Sequence, residues 1–268
     1  MDPQTADTAE LLSMLEWYRA AGVDLAVGDE PVNRFGQVRA PATAPQRAIA
    51  PPVEAAPLPT AVLEADPSEG RALAAKARSL DELEEILRAY DGCALKARAT
   101  QLCFADGNPE ADVMLVGEGP GGEEDRVGKP FVGKAGQLLD RMLGAIGLDR
   151  STVYIANTVP WRPPGNRNPT PQEIALCLPF LHRQIELVQP RYLVAVGAVA
   201  AQSLFGVTAG ISRLRGQWRD VTIGAHPVRA IATLHPAYLL RVPSQKAQAW
   251  RDMLELKRAI EAGKGRAG

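Results

Sequence analysis

DVMLVGEGPGGEED, residues 112–125, sets a short apolar run against a glycine-rich turn. A run this short, bounded by a turn signal, reads as a buried strand rather than a helix. Similar runs recur at 152–157 (TVYIAN), 191–197 (RYLVAVG) and 229–234 (RAIATL). Amphipathic segments at 134–146, 171–188, 198–205 and 245–262 read as helices. This alternation predicts an α/β fold, a three-layer α/β/α sandwich around a mostly parallel sheet of about four strands. Ligands in such sheets bind beyond the carboxyl ends of the strands. The residues with chemistry to offer fall there: Gly117–Gly122 after the first run, Asn157 ending the second, His235 after the fourth.

Gly117, Gly119 and Gly122 satisfy the G-x-G-x-x-G dinucleotide fingerprint. That fingerprint should open directly into a helix whose N-terminus meets a pyrophosphate. Here Glu123, Glu124 and Asp125 follow and would repel it, and the next helix is expected only at about Lys134. A loop built for close approach fits better, with backbone N–H groups facing a small polar ligand. Glu118 adds a carboxylate at the strand end and Phe131 an aromatic face, although a core plug and a surface residue are the bland alternatives. Asn157 either caps a loop or offers its carboxamide to a pyrimidine edge. Arg162 and Arg167, in a Pro-stiffened loop, suit phosphate contacts. His235 leaves a strand and is turned by Pro236. Leu239 and Leu240 can wedge into a base stack, with Arg241 near a phosphate.

These motifs resemble uracil-DNA glycosylases of family 4. The resemblance is carried by GEGPGGEED at 117–125, PFVGKAGQLL at 130–139, VYIANTVPWRPPGNR at 153–167 and HPAYLLR at 235–241, and it spans roughly 88–257. It implies a monofunctional enzyme that flips uracil from single- or double-stranded DNA and hydrolyses its N-glycosidic bond. It gives Glu118 the catalytic carboxylate that positions water, and His235 a donor to uracil O2. Phe131 would stack on the ring, Asn157 would tell uracil from cytosine, and amides around Gly119 and Pro120 would bind uracil oxygens. Glu124 and Asp125 match family positions and would fix the loop. The alternative is a non-catalytic DNA-binding or polymerase-associated module of the same fold.

The family resembled is one that holds a [4Fe–4S] cluster on four cysteines. Here Cys93 matches the second position and Cys177 the fourth, Tyr90 and Trp161 stand at the other two, and Cys103 matches none. The expectation is therefore no cofactor and no metal, with aromatic packing filling the cluster's volume.

The rest of the chain bounds these readings. Residues 8–21 (TAELLSMLEWYRAA) have near-helical apolar spacing, and a Pro/Ala tract follows at about 38–68. The expected organisation is an N-terminal helical segment (1–35) that could bind a protein partner, a Pro/Ala-rich disordered linker (36–70) and a catalytic domain (71–268). Ser79 and Glu82 predict a capped helix start. Residues 1–78 hold 7 Lys+Arg and 11 Asp+Glu, and the remainder 23 and 20, so the mildly basic C-terminal portion permits nucleic acid without indicating it. No signal peptide or membrane span is expected. Three cysteines argue for a reducing compartment, giving a cytoplasmic, nucleoid-associated monomer as the expectation.

Overall fold

In the computed structural model, residues 66–264 are described. The expected helical segment at 1–35 and most of the linker lie outside them. The first helix, α1 (Pro67–Ala74), is capped by Asp66, whose carboxylate accepts from the Ser68 N–H at 2.8 Å. It runs across the expected boundary at residue 70, so the folded domain begins earlier than the sequence suggested. Next, α2 (Leu80–Ala89) starts at the predicted cap, with Ser79 Oγ accepting from the Glu82 N–H at 3.1 Å. Glu82 closes the turn by accepting from the Arg78 N–H at 2.6 Å, one residue ahead of the expected capping-box partner.

The chain then runs through β1 (Asp106–Gly107), β2 (Val113–Gly117), α3 (Gly122–Val127), α4 (Lys134–Gly144), β3 (Val153–Asn157) and α5 (Pro171–Val188). It continues through β4 (Tyr192–Val196), α6 (Ala198–Phe205), α7 (Ile211–Leu214), β5 (Arg219–Ile223), β6 (His226–Thr233), α8 (Pro236–Arg241) and α9 (Lys246–Lys264). The sheet has six strands in the order β1-β3-β2-β4-β6-β5, not four. The predicted four are its parallel centre, and the additions are antiparallel edges. A two-residue strand has no pattern to detect. β5 alternates between partly buried and exposed positions, ends on buried Ile223, and returns to β6 through a turn at Gly224, where φ is +58°.

Alternation within the central strands divides the core into two layers. Met114, Val116, Leu193 and Ala195 face a cluster that includes Leu181, Ile185, Ala200 and Leu204 from α5 and α6. Val113, Leu115, Val194 and Ile231 face Leu139, Leu143, Met253 and Leu256 from α4 and α9. Both faces are covered, which is why these strands read as continuous apolar runs. No described helix is long and apolar enough to cross a membrane.

A third cluster lies under α1 and α2 and gathers Tyr90, Cys93, Leu95, Val159, Trp161, Leu176, Cys177 and Phe180. Tyr90 packs on Phe180 with ring centroids 4.9 Å apart, while its hydroxyl is buried without a partner among the described residues. Burial pushes its pKa up to about 12. An orphaned buried hydroxyl costs about 1–3 kcal/mol. Tyr90→Phe should therefore leave urea-denaturation stability unchanged or raise it by about 1 kcal/mol, whereas Tyr90→Ala should cost roughly 3–5 kcal/mol through the cavity it opens. A clearly destabilised Phe variant would mean that the hydroxyl has a partner.

Candidate active site

The carboxyl ends of the parallel strands bring the sequence motifs together. Gly117 pairs with Asn157 across β2 and β3. Beyond them the Thr158 N–H donates to Gly117 O at 2.9 Å and the Val159 N–H to Glu118 O at 3.2 Å. On the other side the Gly197 N–H donates to Thr233 O at 2.9 Å, two residues before His235. Between these ends opens a cleft of about 390 Å³, lined by Glu118, Gly119, Pro120, Phe131, Asn157, His235 and Arg241 among others. Gly117 has to be glycine: a Cβ there would lie 2.4 Å from Asn157 Oδ1 and 2.6 Å from the Phe131 ring.

Contrary to the sequence reading, a helix does follow the glycine loop at once: α3 starts at Gly122 and holds all three carboxylates in its first turn. Anionic residues are favoured at that end of a helix. Two of them are consumed by the fold. Glu124 accepts from the N–H groups of Gly121 (3.2 Å), Val132 (3.0 Å) and Gly133 (2.9 Å). Asp125 accepts from the Thr100 N–H at 2.7 Å and the Thr100 hydroxyl at 3.0 Å. The Gly121 amide at the start of α3, which a dinucleotide's pyrophosphate would need, is already bound by the Glu124 carboxylate.

Glu124 thereby sets the position of Phe131. That residue is held at φ +55°, a left-handed conformation uncommon for a bulky side chain. Arg150, bound to Asp106 at 2.6 Å and Asp140 at 2.9 Å, donates to the carbonyls of Pro130 and Phe131. Gly136 lets α4 meet this turn; a Cβ there would lie 1.7 Å from Phe131 O. The buried Phe131 ring stacks on His235 with centroids 5.5 Å apart and planes at 27°.

His235 caps α8, and its Nδ1 accepts from the Ala237 N–H at 3.1 Å. In the neutral ring this places the proton on Nε2. Burial, reinforced by the Arg241 guanidinium, lowers its pKa to about 4, so the ring is neutral at pH 7. Asn157 is 6% exposed, and its Oδ1 is buried without a partner among the described residues. The Glu118 carboxylate is half-buried, and burial raises its pKa above the ordinary value.

A family model, the uracil DNA glycosylase superfamily, matches residues 104–254, more than half of the chain and all of the cleft. The chain belongs to that superfamily. Curated relatives include the type-4 uracil-DNA glycosylase of Archaeoglobus fulgidus, 38% identical over 66% of this chain and 92% of the relative. Those of Thermotoga maritima (42% identical, 60% and 83% covered) and Pyrobaculum aerophilum (35%, 65% and 91%) bear the same description.

The DNA-contact candidates separate in the structure. Leu239 is 1% exposed and packs with Leu138, Leu234 and Ala249, so it supports α8 and has no surface to offer DNA, contrary to its expected role. Leu240, one residue on, is 41% exposed. Arg241 lines the cleft, as does Arg167, although Arg167 is already paired with Glu173 at 2.6 Å. Arg162 lies outside the cleft lining and donates to Asn166 Oδ1 at 2.8 Å. The motifs gave no sign of Arg150, and Tyr238, although inside HPAYLLR, was assigned no role there. Arg150 is recognisable only through contacts distant in sequence, and Tyr238 lines the cleft from α8.

Tyr90, Cys93, Trp161 and Cys177, the residues at the four cluster positions, do converge in space. Their chemistry does not fit a four-iron cluster: two thiols are joined by a phenol and by an indole that can only donate. Cys103 is spent elsewhere, its thiol donating to Glu124 O at 3.1 Å. Among the described residues no group of three or more His, Cys, Asp or Glu is placed to share a metal ion.

A histidine with a folded pKa of about 4 and an ordinary value of 6.5 gives a defined pH signature. Above pH 6.5 the ring is neutral in both states and its burial costs nothing in protonation. Between pH 6.5 and 4 the unfolded chain takes up a proton that the folded chain refuses, so stability falls with pH. His235→Asn keeps a good cap and removes this contribution. Chemical denaturation at pH 7 and pH 4.5 should show wild type losing about 2–3 kcal/mol more than the variant; equal losses would exclude a neutral buried ring.

Proposed function

We propose that this chain excises uracil from DNA by hydrolysing the N-glycosidic bond of a flipped-out nucleotide. The observation that carries the reading is the unpartnered Asn157 Oδ1, buried in the cleft and close to the Phe131 ring. A buried acceptor without a donor is costly, and a ligand N–H would satisfy it. Uracil supplies one at N3–H, while the Asn157 amide N–H₂ can donate to O4; cytosine offers the reverse pattern. The relatives described as type-4 uracil-DNA glycosylases support the same assignment.

The chemistry follows from the groups at hand. As the C1′–N1 bond breaks, its electron pair passes to the base, the sugar becomes oxocarbenium-like and charge grows on uracil O2. The His235 Nε2–H donates to that oxygen, and a neutral donor preorganised in a dry pocket strengthens its bond as charge develops. The Glu118 carboxylate stabilises the sugar cation and holds the water that adds to C1′, accepting its proton. The amides around Gly119 and Pro120 serve the uracil oxygens, and Phe131 stacks on the ring. Leu240 enters the base stack while Arg241 and Arg162 meet phosphates. The reaction proceeds without an iron–sulfur cluster, the cluster's place being taken by Tyr90 and Trp161; a purified sample with a 400-nm band and about four irons per chain would sink this part.

The test is abasic-site formation on uracil-containing single- and double-stranded oligonucleotides. Wild type should release uracil, and Glu118→Ala, Asn157→Ala and His235→Ala should each lower kcat by about 10²-fold or more. Leu240→Ala should lose more activity on duplex than on single-stranded substrate. Activity should fall at acid pH along a limb displaced above the ordinary carboxylate range, as Glu118 becomes protonated. No release from either substrate by wild type would instead favour a DNA-binding module.

A further inference from the structure

We propose that Cys93 and Cys177 form a redox-active dithiol that closes to a disulfide, stapling the loop after α2 to the middle of α5. The two sulfurs lie 3.7 Å apart, with the Cys177 thiol donating to Cys93, although 84 residues separate them in sequence. A disulfide needs about 2.05 Å, so the sulfurs must approach by roughly 1.7 Å. The loop at 90–98 can supply that movement. Cys93 itself is 1% exposed, while Asp91 and Ala94 on either side of it in the loop are exposed. The pair sits in one apolar and aromatic cluster, and among the described residues no other side chain hydrogen-bonds to either thiol. Cys103 is a built-in control: it is fully buried, its thiol engaged with a backbone carbonyl and its pKa pushed up to about 12 by burial.

Hydrogen peroxide is a suitable oxidant, small enough to enter when the loop opens. The Cys93 sulfur accepts hydrogen bonds from Cys177 and the Leu95 amide, which hold its thiol below the ordinary range. Cys177 is held well above it by the same thiol–thiol bond and by burial. Cys93 thiolate therefore attacks one peroxide oxygen, the O–O bond breaks, water leaves and a sulfenic acid remains. The Cys177 sulfur then displaces the hydroxyl as a second water and the S–S bond forms. Two thiols lose two electrons and two protons, and one peroxide becomes two waters. The result ties together the same two segments that a cluster on these positions would join.

The experiment uses the full chain, purified reduced, exposed to a small excess of hydrogen peroxide, quenched with an alkylating agent and counted for thiols in denaturant. Of three thiols, one should remain, and peptide mapping should place it at Cys103 with Cys93 linked to Cys177. Closing a loop this long should raise Tm by roughly 10 °C, reversed by dithiothreitol. Cys177→Ala should abolish both the link and the shift. Three surviving thiols, a cross-link through Cys103, or sulfinic acid at Cys93 without a link would each overturn the proposal. If the variant does not fold, mapping of the wild-type protein decides alone. No readout involves uracil release, so failure here is distinct from failure of the glycosylase reading.

Discussion

The pocket hangs on one carboxylate. Glu124 accepts hydrogen bonds from Gly121 on one side of the cleft mouth and from Val132 and Gly133 on the other. Those amides belong to two stretches that would otherwise be independent loops, the glycine turn after β2 and the entry to α4. Hydrogen bonds to a charged group are each worth about 1.5–3 kcal/mol, and the N-terminal end of α3 adds a favourable field. Once the stretches are joined, Phe131 has little choice of position. Its left-handed backbone is held by Arg150 from behind and by the close approach that Gly136 allows, and its ring then meets His235. Two motifs separated by more than a hundred residues become one wall through this sequence of contacts.

What the sequence displayed and what it hid divide along a physical line. The parallel centre was legible because a strand buried on both faces must be apolar throughout, and those runs stand out against polar turns. The edges were not: β1 is too short to carry a pattern, and β5, open to solvent on one side, mixes charged and apolar residues. α3 is hidden in the sequence because its three carboxylates read as repulsion toward a phosphate, whereas in the fold Glu124 and Asp125 bind backbone amides. Leu239 and Leu240 are the same residue in the same motif, yet one is core and the other exposed. A helix turns about 100° per residue, and no motif reports which side of that turn faces the protein. Arg150 illustrates the opposite failure, since its ordinary surroundings in GLDRST acquire meaning only from Phe131 and Asp106, 19 and 44 positions away.

The third core cluster joins stretches of chain that are far apart in sequence. The loop bearing Cys93, the β3 exit at Val159–Trp161 and the Cys177 turn of α5 meet there, and the meeting is mainly apolar and aromatic. The packing leaves an orphaned tyrosine hydroxyl and a thiol pair with only each other as side-chain hydrogen-bond partners among the described residues. The cluster also matters to the active site. Val159 follows Asn157 by two residues and anchors the chain leaving the strand, while its side chain lies against Gly119, where any Cβ would come within 2.8 Å.

Electrostatics gives the site its direction. Before cleavage the bound base is neutral, and a neutral imidazole donor adds its stabilisation as charge develops on the base in the transition state. Burial and the neighbouring Arg241 keep His235 neutral, so its N–H gains strength only as charge builds on the leaving base. Opposite it, burial makes the Glu118 carboxylate a more basic group than an exposed one, suited to stabilising a cation and taking a proton from water. The two groups are thus displaced from their ordinary pKa values in opposite directions, mainly by one cause, desolvation, and in the proposed reaction a neutral donor and a more basic carboxylate suit the transition state of glycosidic cleavage. A flipped nucleotide that closed the cleft further would strengthen both effects together, so substrate binding and catalytic electrostatics are coupled through the exclusion of water.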